Sequence, residues 1–211
     1  MGAHPYLIRT SGHSELDPLI NLGLIDFEKL QEIYSKRKHT AADRLANLLR
    51  RRSSNSASRN PTRVEFVRRI EDLIAEYNAG ILNIDEYLRR LIHLSQDLNE
   101  EEQRVAAEDM SEAELAVFDL LTRPGPDLTA DELKVAKGIA KQLLETITDK
   151  LVLDWRKRQR TRSAVRVAVG QALDHLPEAY DENMFEEKRT AIFDHLLASF
   201  FDDGGNVYRQ R

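Results

Sequence analysis

Cysteine is absent from the 211-residue chain, which excludes disulfides and thiolate chemistry and makes a reducing, cytoplasmic setting the expectation. Long apolar runs are missing as well: none approaches the ~20 residues of a membrane span, and the N-terminus lacks the zones of an export signal. Position 6 is Tyr6, where a myristoylation signal after Met1-Gly2 would require Ser or Thr. No membrane role is expected. Glycine clusters that could bring backbone N–H groups onto a phosphate are also lacking, since Gly138 stands alone in a helical pattern and Gly80 precedes Ile81. There is no period-2 run flanked by turns to suggest a strand, and no repeat of fixed period. Nor is there an excess of positive charge: 31 Lys and Arg face 36 Asp and Glu, so the chain as a whole is no nucleic-acid wrapper and any basic function must be local.

What remains is a helical pattern with a core. At 41% hydrophobic, a chain of 211 residues buries roughly 70% of its unfolded surface, enough for one domain or two small ones. Residues 1–14 show neither helical nor strand period and read as coil. The spacing of Phe27, Leu30, Ile33 and Tyr34 predicts a short helix, and Thr40 caps a second carrying Leu45, Leu48 and Leu49 and ending in the basic run Arg50 to Arg52. Ser53 to Arg59 reads as a flexible hinge or frayed helix end. Asn60-Pro61 opens a helix running to Asn78, with Gly80 at its stop, and Asn83 with Glu86 opens the antiparallel partner, with Leu88, Leu91, Ile92, Ser95 and Leu98 inward.

Ser111 with Glu114 and Thr129 with Glu132 are two capping boxes, separated by the loop Arg123 to Asp127. The first predicts a short helix with Leu115, Phe118 and Leu121 inward. The second predicts a helix carrying Leu133, Ala136, Ala140, Leu143, Ile147 and Leu151. A boundary near Leu153-Asp154, with Asp154 as the next cap, avoids a helix of almost fifty residues. A last helix carries Phe185, Ile192, Leu196 and Phe200 before Gly204-Gly205. The expected fold is all-α, about eight helices in an irregular bundle of antiparallel pairs. Its expected organisation is an N-terminal helical segment and linker (1–59), a hairpin (60–110) and a C-terminal helical subdomain (111–211), with 60–211 packed as one unit.

No catalytic constellation emerges. The six histidines, His4, His13, His39, His93, His175 and His195, include no HExxH pair and no ligand spacing, so no metal site is expected. Asp181, Glu186 and Lys188 mimic an acidic residue followed by ExK, but they fall at one helix start, whereas metal-dependent nuclease chemistry needs carboxylates converging from neighbouring strands.

The stretch that asks for a partner is Leu151 to Val169. Six cations, Arg156, Lys157, Arg158, Arg160, Arg162 and Arg166, follow the only tryptophan, Trp155, before the sequence turns apolar. At ~100° per residue, Trp155, Val165, Val169, Leu173 and Leu176 share a face with Arg158 and Arg162. A core-facing stripe does not keep bare guanidinium groups, so carboxylates neutralise them or the first turns project toward another molecule. Three readings stand. The tract Asp97 to Glu114, with eight carboxylates against the single cation Arg104, could neutralise them internally; a protein partner could; or phosphates could. Cations in the first turns of a helix oppose its macrodipole, which favours some partner.

Four stretches, Asn60 to Gly80, Ser111 to Thr129, Leu151 to Val169 and Leu176 to Lys188, together with the Ile25 to Leu30 start, resemble the C-terminal region of the restriction (R, HsdR) subunit of type I restriction-modification enzymes. The Leu-Asp-Trp-Arg-Lys core followed by Arg-Ser-Ala-Val-Arg carries the most specific part of that likeness. The resemblance implies a non-catalytic helical domain of a large motor subunit, whose nuclease and helicase domains lie upstream and use ATP and Mg2+; this chain itself then needs no cofactor. It further implies docking onto the methyltransferase (M) subunit, with DNA contact secondary. In that role Trp155 is expected to anchor a surface, with Arg156, Lys157, Arg158, Arg160, Arg162 and Arg166 contacting carboxylates or phosphates.

Overall fold

The computed structural model describes residues 27–209 except Val152, and side chains from Lys38 to Tyr208. Seven α-helices follow one another among these residues: α1 (Phe27–Arg59), α2 (Val64–Asn78), α3 (Ile84–Ala107), α4 (Glu112–Thr122), α5 (Ala130–Thr148), α6 (Gln159–Leu173) and α7 (Glu182–Ser199). Two 3₁₀ turns, Pro61–Arg63 and Val207–Arg209, and one isolated β-bridge between Phe200 and Asn206 complete them. The all-α expectation holds.

The main correction lies in α1. Two short helices and a hinge were expected, yet one helix runs unbroken through Ser53 to Arg59. No proline or glycine interrupts Phe27 to Arg59, so nothing removes a backbone donor or favours a break. The serines do not compete with the helix either: the hydroxyls of Ser53 and Ser54 donate back to the Arg50 carbonyl at 3.1 and 2.8 Å. Ser53 and Ser56 are buried, which makes this segment a packing face. The helix stops at Asn60-Pro61, where Asn60 Oδ1 accepts from the Thr62 amide at 3.2 Å. The stripe expected at Phe27, Leu30, Ile33 and Tyr34 lies outside the described side chains.

Local stop and start signals account for the following helices. Gly80, at φ 73°, ends α2 in the left-handed conformation, with its amide and that of Ile81 donating to the carbonyls of Tyr77 and Glu76. Asn83 Oδ1 then caps α3 through the Glu86 amide at 2.9 Å. Ion pairs show that α2 and α3 are antiparallel: Arg69 meets Asp97 at 2.7 Å at one end and Arg90 meets Glu76 at 3.1 Å at the other. Both capping boxes form as expected, Ser111 with Glu114 and Thr129 with Glu132.

Two apolar cores result. Ala42, Leu45 and Leu49 of α1 close over Ile70, Tyr87, Leu91 and Leu98 of α2 and α3, so the packing groups α1 with the 60–110 hairpin. Residues of α4 to α7, with Met110 and Trp155, form the second. α4 is its centre, buried on all sides from Leu115 to Leu121, as expected of a helix that is apolar around most of its circumference. Leu133, expected inward, is exposed because it falls in the first turn of α5, ahead of the core layer that begins at Ala136. The C-terminal carbonyls of α4 find donors on other elements: buried Lys188 donates to Leu120 at 2.8 Å and also to Pro124, and Tyr180 donates to Leu121 at 3.0 Å. Burial lowers the Lys188 pKa.

Between the cores lies a network of charges. Asp119 of α4, fully buried, accepts from Arg104 of α3 and from Asn60 Nδ2 at 2.7 Å. Arg63, also buried, pairs with Glu101 at 3.3 Å and with Glu112, and donates to Ser56 Oγ at 3.2 Å. Burial alone would lower the Arg104 pKa; Asp119 and Glu101 more than offset it, and the net direction is upward.

Candidate functional site

The basic stretch folds in two parts with different fates. α5 ends at Thr148, and the turns that follow carry Asp154 at φ 58°, with its amide donating to the Asp202 carbonyl at 2.8 Å. Asp154 is therefore not the cap of α6. That helix starts five residues later at Gln159, and its N-cap position is taken by Arg158, which makes no side-chain cap. The tight turn swings Trp155 inward. It is fully buried in the second core, and its Nε1 donates to the Phe200 carbonyl at 3.2 Å. The expected surface anchor is thus a core residue that seats the loop, because the turn at Asp154 places it beneath residues 200–202.

Arg156 and Lys157 find counter-charges within the chain. Arg156 Nε lies 3.3 Å from Asp202 Oδ1, its Nη1 donates to the Leu197 carbonyl at 3.3 Å, and its guanidinium lies 5.6 Å from the Phe201 ring centroid. Lys157 Nζ meets Asp154 Oδ1 at 2.7 Å, a hydrogen bond that raises the lysine pKa. Burial would raise the Asp202 pKa, but the hydrogen bonds and charge of Arg156 outweigh it and hold that carboxyl below its usual value.

The arginines at the N-cap of α6 and along it are different. Arg158, Arg160, Arg162 and Arg166 are exposed, and none makes an ion pair among the described residues. Arg166 lies over the Phe193 ring of α7, 4.5 Å from its centroid. The acidic tract does not reach them. Its carboxylates serve other elements: Asp97 pairs with Arg69, Glu101 with Arg63 and Arg104, Glu102 with Arg52, and Glu108 with Lys137. Internal neutralisation by Asp97 to Glu114 is overturned, because that tract lies at the junction of the cores and is spent on α1, α2, α5, the Arg63 turn and its own Arg104.

Beside these arginines, α6 and α7 enclose a groove of about 270 Å³ lined by Gln159, Arg162, Ser163, Arg166, Phe193 and Leu197. Phe193, which the sequence reading left unnamed, is a residue of the second core buried beneath the Arg166 guanidinium, and Leu197 is half-buried against the same core. A second polar cluster, also missed, lies under the C-terminal turn: His195 Nε2 is 2.6 Å from Tyr208 Oη and its Nδ1 is 3.2 Å from Ser199 Oγ. Burial lowers the His195 pKa to about 4 and raises that of Tyr208. Among the described residues, no three His, Asp or Glu side chains could hold a metal ion, and no helix is long and apolar enough to cross a membrane.

Comparison with known proteins gives a consistent assignment. Residues 15–198 match the family described as type I restriction enzyme HindI endonuclease subunit-like, C-terminal. Over 111 residues the chain is 29% identical to the type I restriction enzyme HindI endonuclease subunit of Haemophilus influenzae. Over 111 residues it is 24% identical to a Methanocaldococcus jannaschii protein provisionally named type I restriction enzyme MjaIXP endonuclease subunit. Each match covers 52% of this chain but only 10% and 11% of those proteins, so the aligned part spans about a tenth of their length. No solved structure matches the chain.

Proposed function

Because the chain belongs to the type I restriction enzyme HindI endonuclease subunit-like C-terminal family, we propose that it is a non-catalytic assembly domain that docks the restriction subunit onto its methyltransferase partner. The observation that carries this reading is the contrast within one basic stretch. Arg156 and Lys157 are neutralised at home, whereas Arg158 at the N-cap of α6 and Arg160, Arg162 and Arg166 along it are exposed without counter-charges among the described residues. Unpaired guanidinium groups on a rigid helix are suited to charge-assisted, bidentate recognition of carboxylates across an interface. ATP and Mg2+ belong, in this proposal, to nuclease and motor domains of the parent subunit; this chain binds the partner.

The test is a pull-down with the cognate methyltransferase subunit, comparing the wild type with Arg158→Glu/Arg162→Glu. Loss of binding by a folded double mutant supports the site. Unchanged binding sinks the site, and no binding by the wild type sinks the docking role.

The same arginines favour a second reading, a module that supports duplex DNA handled by the motor. It requires duplex affinity whose logarithm falls with log salt at roughly −0.9 per phosphate contact. Titration at two salt concentrations separates the two, since the docking domain has little duplex affinity at physiological salt.

A further inference from the structure

The two apolar cores share no residue, and the chain passes from the first to the second once, through Glu108 to Ser111, where Asp109 is left-handed at φ 50°. Val105, near the end of α3, is the apolar side chain that reaches across. What α4 turns toward the first core is polar. Glu112, Ala116 and Asp119 lie within about 40° of one line along that helix, and Arg123 follows at its C-cap. Ala116 is fully buried yet belongs to neither apolar core. Glu112 pairs with Arg63, Asp119 with Arg104 and with the Asn60 amide, and Arg123 lies 3.6 Å from Glu101. Glu101 of α3 also takes Arg63 at 3.3 Å and Arg104 at 2.7 Å, so arginines from three segments converge on one carboxylate.

Such a junction is a poor device for stability and a good one for orientation. Burial strips water from each charge, and pairing does little more than offset that cost. The offset is incomplete here: Arg63 is 2% exposed, and its Nη2 makes no hydrogen bond within the chain. Apolar faces slide on one another at small cost. Buried charges do not, because turning or sliding α4 against α3 takes Asp119 from Arg104 and Arg123 from Glu101 together and leaves desolvated charges without partners. We propose that this network is an orientation lock: the two cores are separate bodies joined by one turn, and the charges on the α4 face, rather than apolar packing, set the angle between them. The lock decides where the exposed arginines of α6 stand relative to α1, α2 and α3, whatever those arginines bind.

Because the chain has no native cysteine, spin labels can be placed at chosen sites in the full chain. Labels at Gln96→Cys on α3 and Gln171→Cys on α6 report the distance between the cores. Labels at Ile81→Cys and Gln96→Cys, both on the first core, serve as control, and all three positions are exposed. Double electron–electron resonance should give one narrow inter-core distance when the network is intact. In Arg104→Met/Asp119→Leu, which removes one charge of each sign, that distribution should broaden or shift, while the control pair and the helical circular dichroism stay as they were. Arg123→Glu, at a half-exposed site, sets another carboxylate beside Glu101 and Asp119 and should have the same effect without touching the buried pair. An inter-core distribution unchanged in folded Arg104→Met/Asp119→Leu overturns the lock and assigns the angle to packing. If that variant does not fold, an unchanged distribution in Arg123→Glu overturns it. A broad distribution with the network intact also overturns it, since no single angle is then held.

Discussion

Arg104 of α3 holds the buried carboxylate of Asp119 on α4 with both terminal nitrogens, Nη2 to Oδ1 at 2.8 Å and Nη1 to Oδ2 at 3.0 Å. The pair bridges the two apolar cores, and Asn60 donates to the same carboxylate. Removing Asp119 leaves Arg104 only Glu101 as a counter-charge and orphans the Asn60 side-chain amide, while removing Arg104 takes the bidentate partner from a fully buried carboxylate. Asp119→Ala should therefore cost about 3–5 kcal/mol of stability, whereas Arg104→Met/Asp119→Leu should recover much of that loss, since a packed apolar pair leaves no charge unpaired. Urea unfolding followed by the fluorescence of Trp155 measures both. A double mutant no more stable than the single would show that the network does more than cancel its own burial.

The buried imidazole of His195 sets a pH dependence. In the folded chain it stays neutral until about pH 4, while in the unfolded chain it takes up a proton near pH 6.5. Between those values the unfolded state binds more protons, so this contribution is fully present above pH 6.5 and is lost as the pH falls toward 4. At pH 5 the loss should be on the order of 2 kcal/mol. Denaturation at pH 7 and pH 5, run in parallel on His195→Asn, isolates it: the difference between the two pH values should shrink in the variant.

Continuity of α1 is testable at Ser54, which is exposed and therefore reports on the backbone. A proline there removes an internal helix hydrogen bond and clashes with the preceding turn, so Ser54→Pro should destabilise the fold by about 3 kcal/mol. Ser54→Ala should be neutral or stabilising by roughly 0.5 kcal/mol. A hinge would tolerate both, so equal melting temperatures for the two variants would contradict the helix.

These residues also show what a sequence makes legible. Capping boxes, Asn60-Pro61 and Gly80 were readable because each acts on its own backbone within four residues. Ser53 to Arg59 was misread because serine and asparagine favour loops when alone, whereas here Ser53 and Ser56 are the small residues that let α1 pack closely. Tertiary packing overrode local preference. The boundary at Leu153-Asp154 falls inside the break between Thr148 and Gln159, but the N-cap lies at Arg158 rather than Asp154, since the intervening turn depends on a hydrogen bond to Asp202, which is distant in sequence. In the candidate site, the exposed arginines were visible as a charge run. The burial of Trp155 and the pairing of Arg156 were not, because both depend on residues 197–202 folding back over the loop. Asp119, a lone carboxylate within an apolar helix, was a signal that went unread.

The exposed arginines of α6 carry a prediction that separates a binding role from a structural one. Arg160 and Arg162 occupy the first turn of α6, where the positive end of the helix dipole disfavours them, and neither has a counter-charge in the chain. A residue kept for stability would lower stability when reversed. Here the sign is opposite: Arg160→Glu and Arg162→Glu should each leave the isolated chain unchanged or raise its stability by about 0.3–1 kcal/mol, since acids suit that end of a helix. The same substitutions should weaken association with the methyltransferase subunit, and the wild-type affinity should fall with added salt, as expected for exposed charge pairs. Thermal melts and binding titrations on the same samples give both signs. A destabilised variant would assign these arginines to the fold, and a stabilised variant with unchanged binding would leave them without the role proposed here.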